Sequence, residues 1–256
     1  MRLLLHLQIL SNNKSLPINY QYPVTAWIYK TLHHSNSHFA EWLHQHGYSY
    51  VNKKFKLFTF SQLKFEKAKV ESDRIISQND NCKITLSFLL PETFNHFIYG
   101  CFANQEFSIG DKISRIDFAI KNLEILQKPK FLKTMNFKLL TPIVVSKPEQ
   151  RNNKLIAQYL KPDDKEYKFF LFQNLIQKHK AANNVIFDID EIEFQPNSEA
   201  KSRLVTIKAG TSSETKIKGY IYSFTFSAPE EIMHTAYYAG FGESNSLGFG
   251  YVDYGN

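Results

Sequence analysis

The chain has 256 residues, 43% of them hydrophobic. That is enough for one large or two small domains with a real core, and it excludes wholesale disorder. A formal net charge of +7 is spread over both halves, 14 basic against 10 acidic residues in 1–127 and 17 against 14 in 128–256, so the chain leans towards a polyanionic partner without a basic tail. Two cysteines, Cys82 and Cys101, exclude a disulfide framework and any CxxC zinc site and fit a reducing cytoplasm. No apolar run approaches a membrane span, so no membrane partner is expected.

Residues 2–10 alternate as a strand. Pro23 opens a helix over about 22–34 with Val24, Trp27 and Ile28 on one face. A polar break at 35–37 separates it from a short helix carrying Phe39, Trp42 and Leu43, which Gly47 ends. From Phe55 to Ile76 the pattern is β-like, and 82–89 alternate as a strand. A helix runs from Pro91 to about Gly100, and strands are predicted at 106–109 and 112–126. The order strand, helices, strand, strand, helix, strand is that of a ferredoxin-like α+β unit.

The second half repeats this order in outline. Strands are predicted at 130–139 and 142–145, a helix at 163–180 with Tyr167, Phe170, Leu171 and Leu175 on one face, and strands near 185–194, 203–208 and 216–226. Lys178, His179 and Lys180 read as the basic end of the helix. Ser227 and Glu230 have capping-box spacing for a last helix at 229–239. Gly240 stops that helix, and 247–254 reads as the final strand. With the break at 126–129, the domains are 1–127 and 128–256, two tandem ferredoxin-like domains.

Four of the ten glycines fall within residues 240–250, GFGESNSLGFG. A Rossmann loop is excluded because the order is helix–loop–strand, and a Walker loop because no Gly-Lys-Ser/Thr follows. What remains is a surface of small side chains shaped for a phosphate chain, through Gly240, Gly242, Gly248 and Gly250, with Ser244, Asn245 and Ser246 as donors to phosphate or sugar. The string and its position resemble the glycine-rich loop of the RAMP superfamily of CRISPR-associated RNA-binding proteins, and most of all the endoribonucleases that cut CRISPR repeat transcripts. FKLLTPIVVSK at 137–147 is similar to the strand pair that opens the second domain in that family.

YPVTAWIYKTLHHSNSHFAEWLHQHG resembles the family's catalytic segment. The resemblance places Tyr29 on the tyrosine, His44 on the histidine and Lys56 on the lysine that together cut RNA without metal or other cofactor. It implies attack by the ribose 2′-OH, leaving a 2′,3′-cyclic phosphate and a 5′-hydroxyl, so that DNA is not cut. Histidine exchanges protons near neutral pH and suits the acid. Tyrosine is a poor base unless a cation lowers its pKa, and otherwise orients the 2′-OH. Lysine suits the charge on phosphorus, with Lys53 and Lys54 close by.

Tyr29 and His44 each have a plainer role, as a packed core tyrosine and a surface histidine, and Lys53 or Lys54 could substitute for Lys56. His46, two residues on, is the backup acid, and His33 lies one helical turn after Tyr29. His33, His34, His38 and His46 lack the spacing of a metal site, and Asp188, Asp190, Glu191 and Glu193 read as a solvated strand face. Lys53, Lys54 and Lys130 are candidate phosphate contacts, as are Lys128, Lys133, Lys201, Arg203 and Lys208, with solubility as the ordinary alternative. The partner implied is CRISPR repeat RNA, with CRISPR effector-complex proteins as a second, and a monomer or homodimer. The alternative function is a non-catalytic RAMP subunit that holds CRISPR RNA in an effector complex.

Overall fold

The computed structural model describes residues 1–151, 154–183 and 191–255. Its first sheet is antiparallel and runs Glu106–Gly110, Arg115–Leu126, Arg2–Ile9, Asn81–Phe88, Phe58–Phe60. Setting aside the edge strand Glu106–Gly110, the order is fourth, first, third, second, which is ferredoxin-like. Alternation decides the faces. Leu3, Leu5, Leu7 and Ile9 point into the core, against helices α1 (Gln21–Ser35) and α3 (Pro91–Ala103). Gly100 lets the two helices touch, since a Cβ there would lie 1.9 Å from the Thr31 carbonyl oxygen.

Helix α2 (Ser37–Gln45) follows α1 after a single residue. Asn36 ends α1 through its N–H to Leu32 O, and its side chain accepts from Phe39 N at 3.0 Å to start α2. Gly47, at φ +64°, ends α2.

The second sheet runs Glu193–Pro196, Ser223–Ser227, Thr134–Leu139, Val252–Tyr254, again fourth, first, third, second when read from the other edge. Met135, Phe137, Phe224, Phe226 and Phe194 face a core closed by α4 (Tyr167–Asn183) and α5 (Glu230–Ala239). The chain is therefore α+β with tandem ferredoxin-like sheets.

Several sequence expectations are corrected. The strand expected from 130 begins only at Thr134. Residues 142–145 form no strand, with Ile143 making an isolated bridge to Tyr220. The expected 216–226 strand splits into Thr215–Ile221 and Ser223–Ser227. The break is Tyr222, whose buried hydroxyl lies 2.6 Å from that of Tyr167. Ser227 caps nothing: it belongs to a strand and its hydroxyl pairs with Thr134 Oγ1 at 2.9 Å, while Pro229 precedes α5 without a side-chain cap. The final strand shortens to Val252–Tyr254 because Asn245–Leu247 is a 3-10 turn. Two hairpins, Ser146–Arg151 with Lys154–Tyr159 and Lys201–Ile207 with Thr215–Ile221, project from the second unit. Asp188 and Asp190, with most of the strand expected at 185–194, lie outside the described residues.

Candidate RNA-processing site

Helices α1 and α2 bring Tyr29 and His44 together. Their rings meet edge to face, with centroids 4.9 Å apart. Tyr29 also packs edge-on to Phe58, which anchors it to the first sheet. Burial pushes its phenol above the ordinary tyrosine range, so it remains O–H at neutral pH. Its hydroxyl makes no intramolecular hydrogen bond among the described residues and is free to donate to a ligand. His44 is exposed in the last turn of α2.

Lys56 completes the group from the strand side. Its ammonium donates to the carbonyl oxygens of Leu43 and His44, the latter at 2.7 Å. A cation at a helix C-terminus is favourable there, and the contact fixes Lys56 beside His44 with one N–H left over. Burial, with Lys54 next to it, lowers its pKa to about 8. His46 caps α2 and is exposed, but among the described residues its ring contacts no aromatic group and its side chain makes no hydrogen bond. His33, His34 and His38 are also exposed. Among the described residues no three His, Cys, Asp or Glu side chains gather into a group able to hold a metal.

The glycine loop follows α5, and its glycines face protein. All four have positive φ. A Cβ would meet the Asn245 amide at Gly240, Val144 O at Gly242, the Phe60 ring at Gly248 and Phe241 O at Gly250. All four are buried, so the close approach they permit is by the chain itself. Asn245, expected as an RNA donor, is 8% exposed, and its amide donates to Phe241 O and Phe249 O, both at 3.0 Å, closing the loop. Ser244 and Ser246 are the loop hydroxyls with partial exposure. Thr25 and Thr59 of the first unit clamp the loop from outside by donating to Ser246 O at 2.8 Å and Phe249 O at 3.0 Å.

A cleft of about 730 Å³ opens between the two units, bounded by the Lys53–Leu57 segment, the Ser146–Tyr159 hairpin, α4 and the glycine loop. Lys53, Lys54, Lys56 and Ser244 line it, so the cleft adjoins the Tyr29–His44 pair through Lys56. Lys130 lies exposed on the connection between the sheets and does not line the cleft.

Two residues here escaped the sequence reading. Lys178, taken as a basic helix end, is 2% exposed, and it donates to Gly240 O at 2.8 Å and to Gly242 O. The sign of this was its spacing after Leu171 and Asn174, on the buried stripe of α4. Glu243 accepts from the Ser146 hydroxyl at 2.8 Å, tying the hairpin root to the loop; nothing in its sequence context marked it.

Two tandem ferredoxin-like sheets, with such a loop of the second held against the first, define a class, and comparison with known proteins gives the family. Residues 15–124 match the family described as CRISPR-associated protein Cas6, N-terminal, and residues 126–254 match CRISPR associated protein Cas6, C-terminal. Over 98% of the chain it is 26% identical to the CRISPR-associated endoribonuclease Cas6 1 of Methanocaldococcus jannaschii, covering 92% of that protein. It is 26% identical to a CRISPR-associated endoribonuclease Cas6 of Pyrococcus furiosus over 93% of the chain and 83% of that protein. A solved CRISPR associated protein Cas6 superposes with a TM-score of 0.78 at 26% identity, covering 100% of this chain and 99% of that one. A structure described as a RAMP protein binding different RNA substrates shares the fold, with a TM-score of 0.85 at 24% identity over the full length of both chains. The chain belongs to the Cas6 family of CRISPR-associated proteins.

Proposed function

We propose that the chain cuts CRISPR precursor RNA within its repeats by 2′-OH attack, without a metal ion, using two ferredoxin-like RAMP domains, 1–127 and 128–256. The observation that carries this is the pairing of the Tyr29 and His44 rings with Lys56 held on the His44 carbonyl oxygen, where Lys56 also lines the cleft beside Lys53 and Lys54. The O2′–P bond forms as the P–O5′ bond breaks. His44 protonates the departing O5′, leaving a 5′-hydroxyl and a 2′,3′-cyclic phosphate. Tyr29, kept as O–H by burial, orients the 2′-OH, whose proton passes to solvent water as the O2′–P bond forms. The N–H that Lys56 leaves over faces the charge gathering on the phosphoryl oxygens. Lys53, Lys54 and Ser244 carry neighbouring phosphates in this reading. RNA passes along the cleft, and the glycines shape the loop that forms its wall.

The test is cleavage of repeat RNA in excess EDTA. The expected products are a 5′-hydroxyl fragment and a cyclic-phosphate fragment, and a single 2′-deoxy substitution at the scissile nucleotide blocks cutting while binding persists. Loss of activity on chelation, or cutting of the deoxy-substituted RNA, overturns the mechanism. Binding of repeat RNA with no cleavage under any condition would instead make the chain a non-catalytic subunit that holds CRISPR RNA.

A further inference from the structure

The inner end of the cleft differs in chemistry from its rim. Asn174, on α4, lines the cleft and is 4% exposed, yet among the described residues its Oδ1 has no hydrogen-bond partner. An amide buried without a partner in a cavity wall is a vacancy for a ligand edge. Beside it Phe170, half-buried, and Ile156 form an apolar wall suited to the face of a ring. Glu243 and the buried Lys178 ammonium both line this inner part and offset each other in charge, whereas Lys53 and Lys54 stand exposed and cationic on the rim. A polyanion with flat rings therefore enters ring first and leaves its backbone outside. The volume, about 730 Å³, lies in the range of small-ligand sites.

We propose that this cleft takes one unstacked base of the bound RNA, packed on Phe170 and read by the Asn174 amide, with the adjoining phosphates on Lys53 and Lys54. Adenine is the base that fits an asparagine amide on two hydrogen bonds, its N6 amine donating to Oδ1 and its N7 accepting from Nδ2. A turn of the amide about its last torsion brings both atoms to the base. The subsite rests on the RNA-processing reading but concerns which base is held, not which bond is cut.

The experiment is equilibrium binding of 5′-labelled 2′-fluoro octamers of adenosine and of uridine, which cannot be cut by 2′-oxygen attack. The adenosine octamer binds at least about fivefold tighter than the uridine octamer. Asn174→Ala and the isosteric Asn174→Asp both bring adenosine binding to the uridine level and leave uridine binding unchanged, whereas Lys54→Gln weakens both octamers alike. Equal binding of the two octamers by the wild-type protein overturns the subsite, as does an Asn174→Asp variant that keeps the preference. Cleavage of repeat RNA by the same preparation separates the two readings. Cutting without a base preference removes the subsite alone, and a preference without cutting removes the catalytic reading alone.

Discussion

At the scale of single residues, the site discriminates between neighbours that look equivalent in sequence. His44 and His46 are two positions apart and both exposed, but only His44 has its ring on Tyr29 and its carbonyl on Lys56. His44→Ala is expected to lower single-turnover cleavage by about 10²–10⁴ while RNA affinity holds, and His46→Ala to stay within a few-fold of wild type. The reverse ranking would move the acid to His46. Lys56 gives a pH signature. With its pKa lowered to about 8, its positive charge is full below that value and is lost as pH rises through it. Cleavage should therefore fall above about pH 8. Lys56→Arg keeps the cation at every pH used, so any activity it retains should have that alkaline fall moved upward, as a pH–rate profile would show.

At the scale of elements, what was legible follows from where side chains are buried. Helices α1 and α2 could be read because Val24, Trp27, Ile28, Phe39 and Leu43 repeat at helical spacing towards one core, with Asn36 and Gly47 as punctuation. The hairpin from Ser146 to Tyr159 could not, because its strands are exposed over most of their length and carry no inward alternation. Ser227 misled because capping-box spacing is silent about a strand that holds the hydroxyl on Thr134. Tyr29, His44 and Lys56 were expected from family resemblance, but Asn174 carries no local pattern and becomes visible only when a cavity forms against it. The glycine loop was legible as a loop, not as packing. Gly250→Ala tests the packing: at φ +68° its Cβ would stand 1.8 Å from Phe241 O, a backbone atom. A loss of about 3 kcal/mol in urea unfolding is expected, from left-handed strain plus overpacking. Gly210→Ala is the control. It has a similar φ of +70° but open space around it, so it should lose only about 1 kcal/mol. Equal losses would mean that the Gly250 contact carries no weight.

At the scale of the whole molecule, the two units are joined by buried polar contacts that converge on α5 and its loop. Arg2 stacks its guanidinium 3.4 Å from the Tyr237 ring centroid and donates to Tyr237 O, and Ser87 donates to Tyr238 O at 2.9 Å. Lys178 reaches the same region from α4, bridging Gly240 O and Gly242 O. The Lys178 ammonium is buried, and desolvation lowers its pKa to about 7, with Glu243 opposing the shift and Lys53 adding to it. The sign follows from linkage. Between about pH 7 and the ordinary lysine value the unfolded chain holds the proton more often than the folded chain, so stability rises with pH across that window. Below about pH 7 both states carry the proton and this slope vanishes. Lys178→Met removes the titration and also strips two buried carbonyls of their donor, at a cost of about 1–3 kcal/mol each. The margin of wild type over the variant in urea unfolding should therefore widen between pH 7 and pH 9. A gap that narrows over that interval would mean that Lys178 is not the buried cation that joins α4 to the loop.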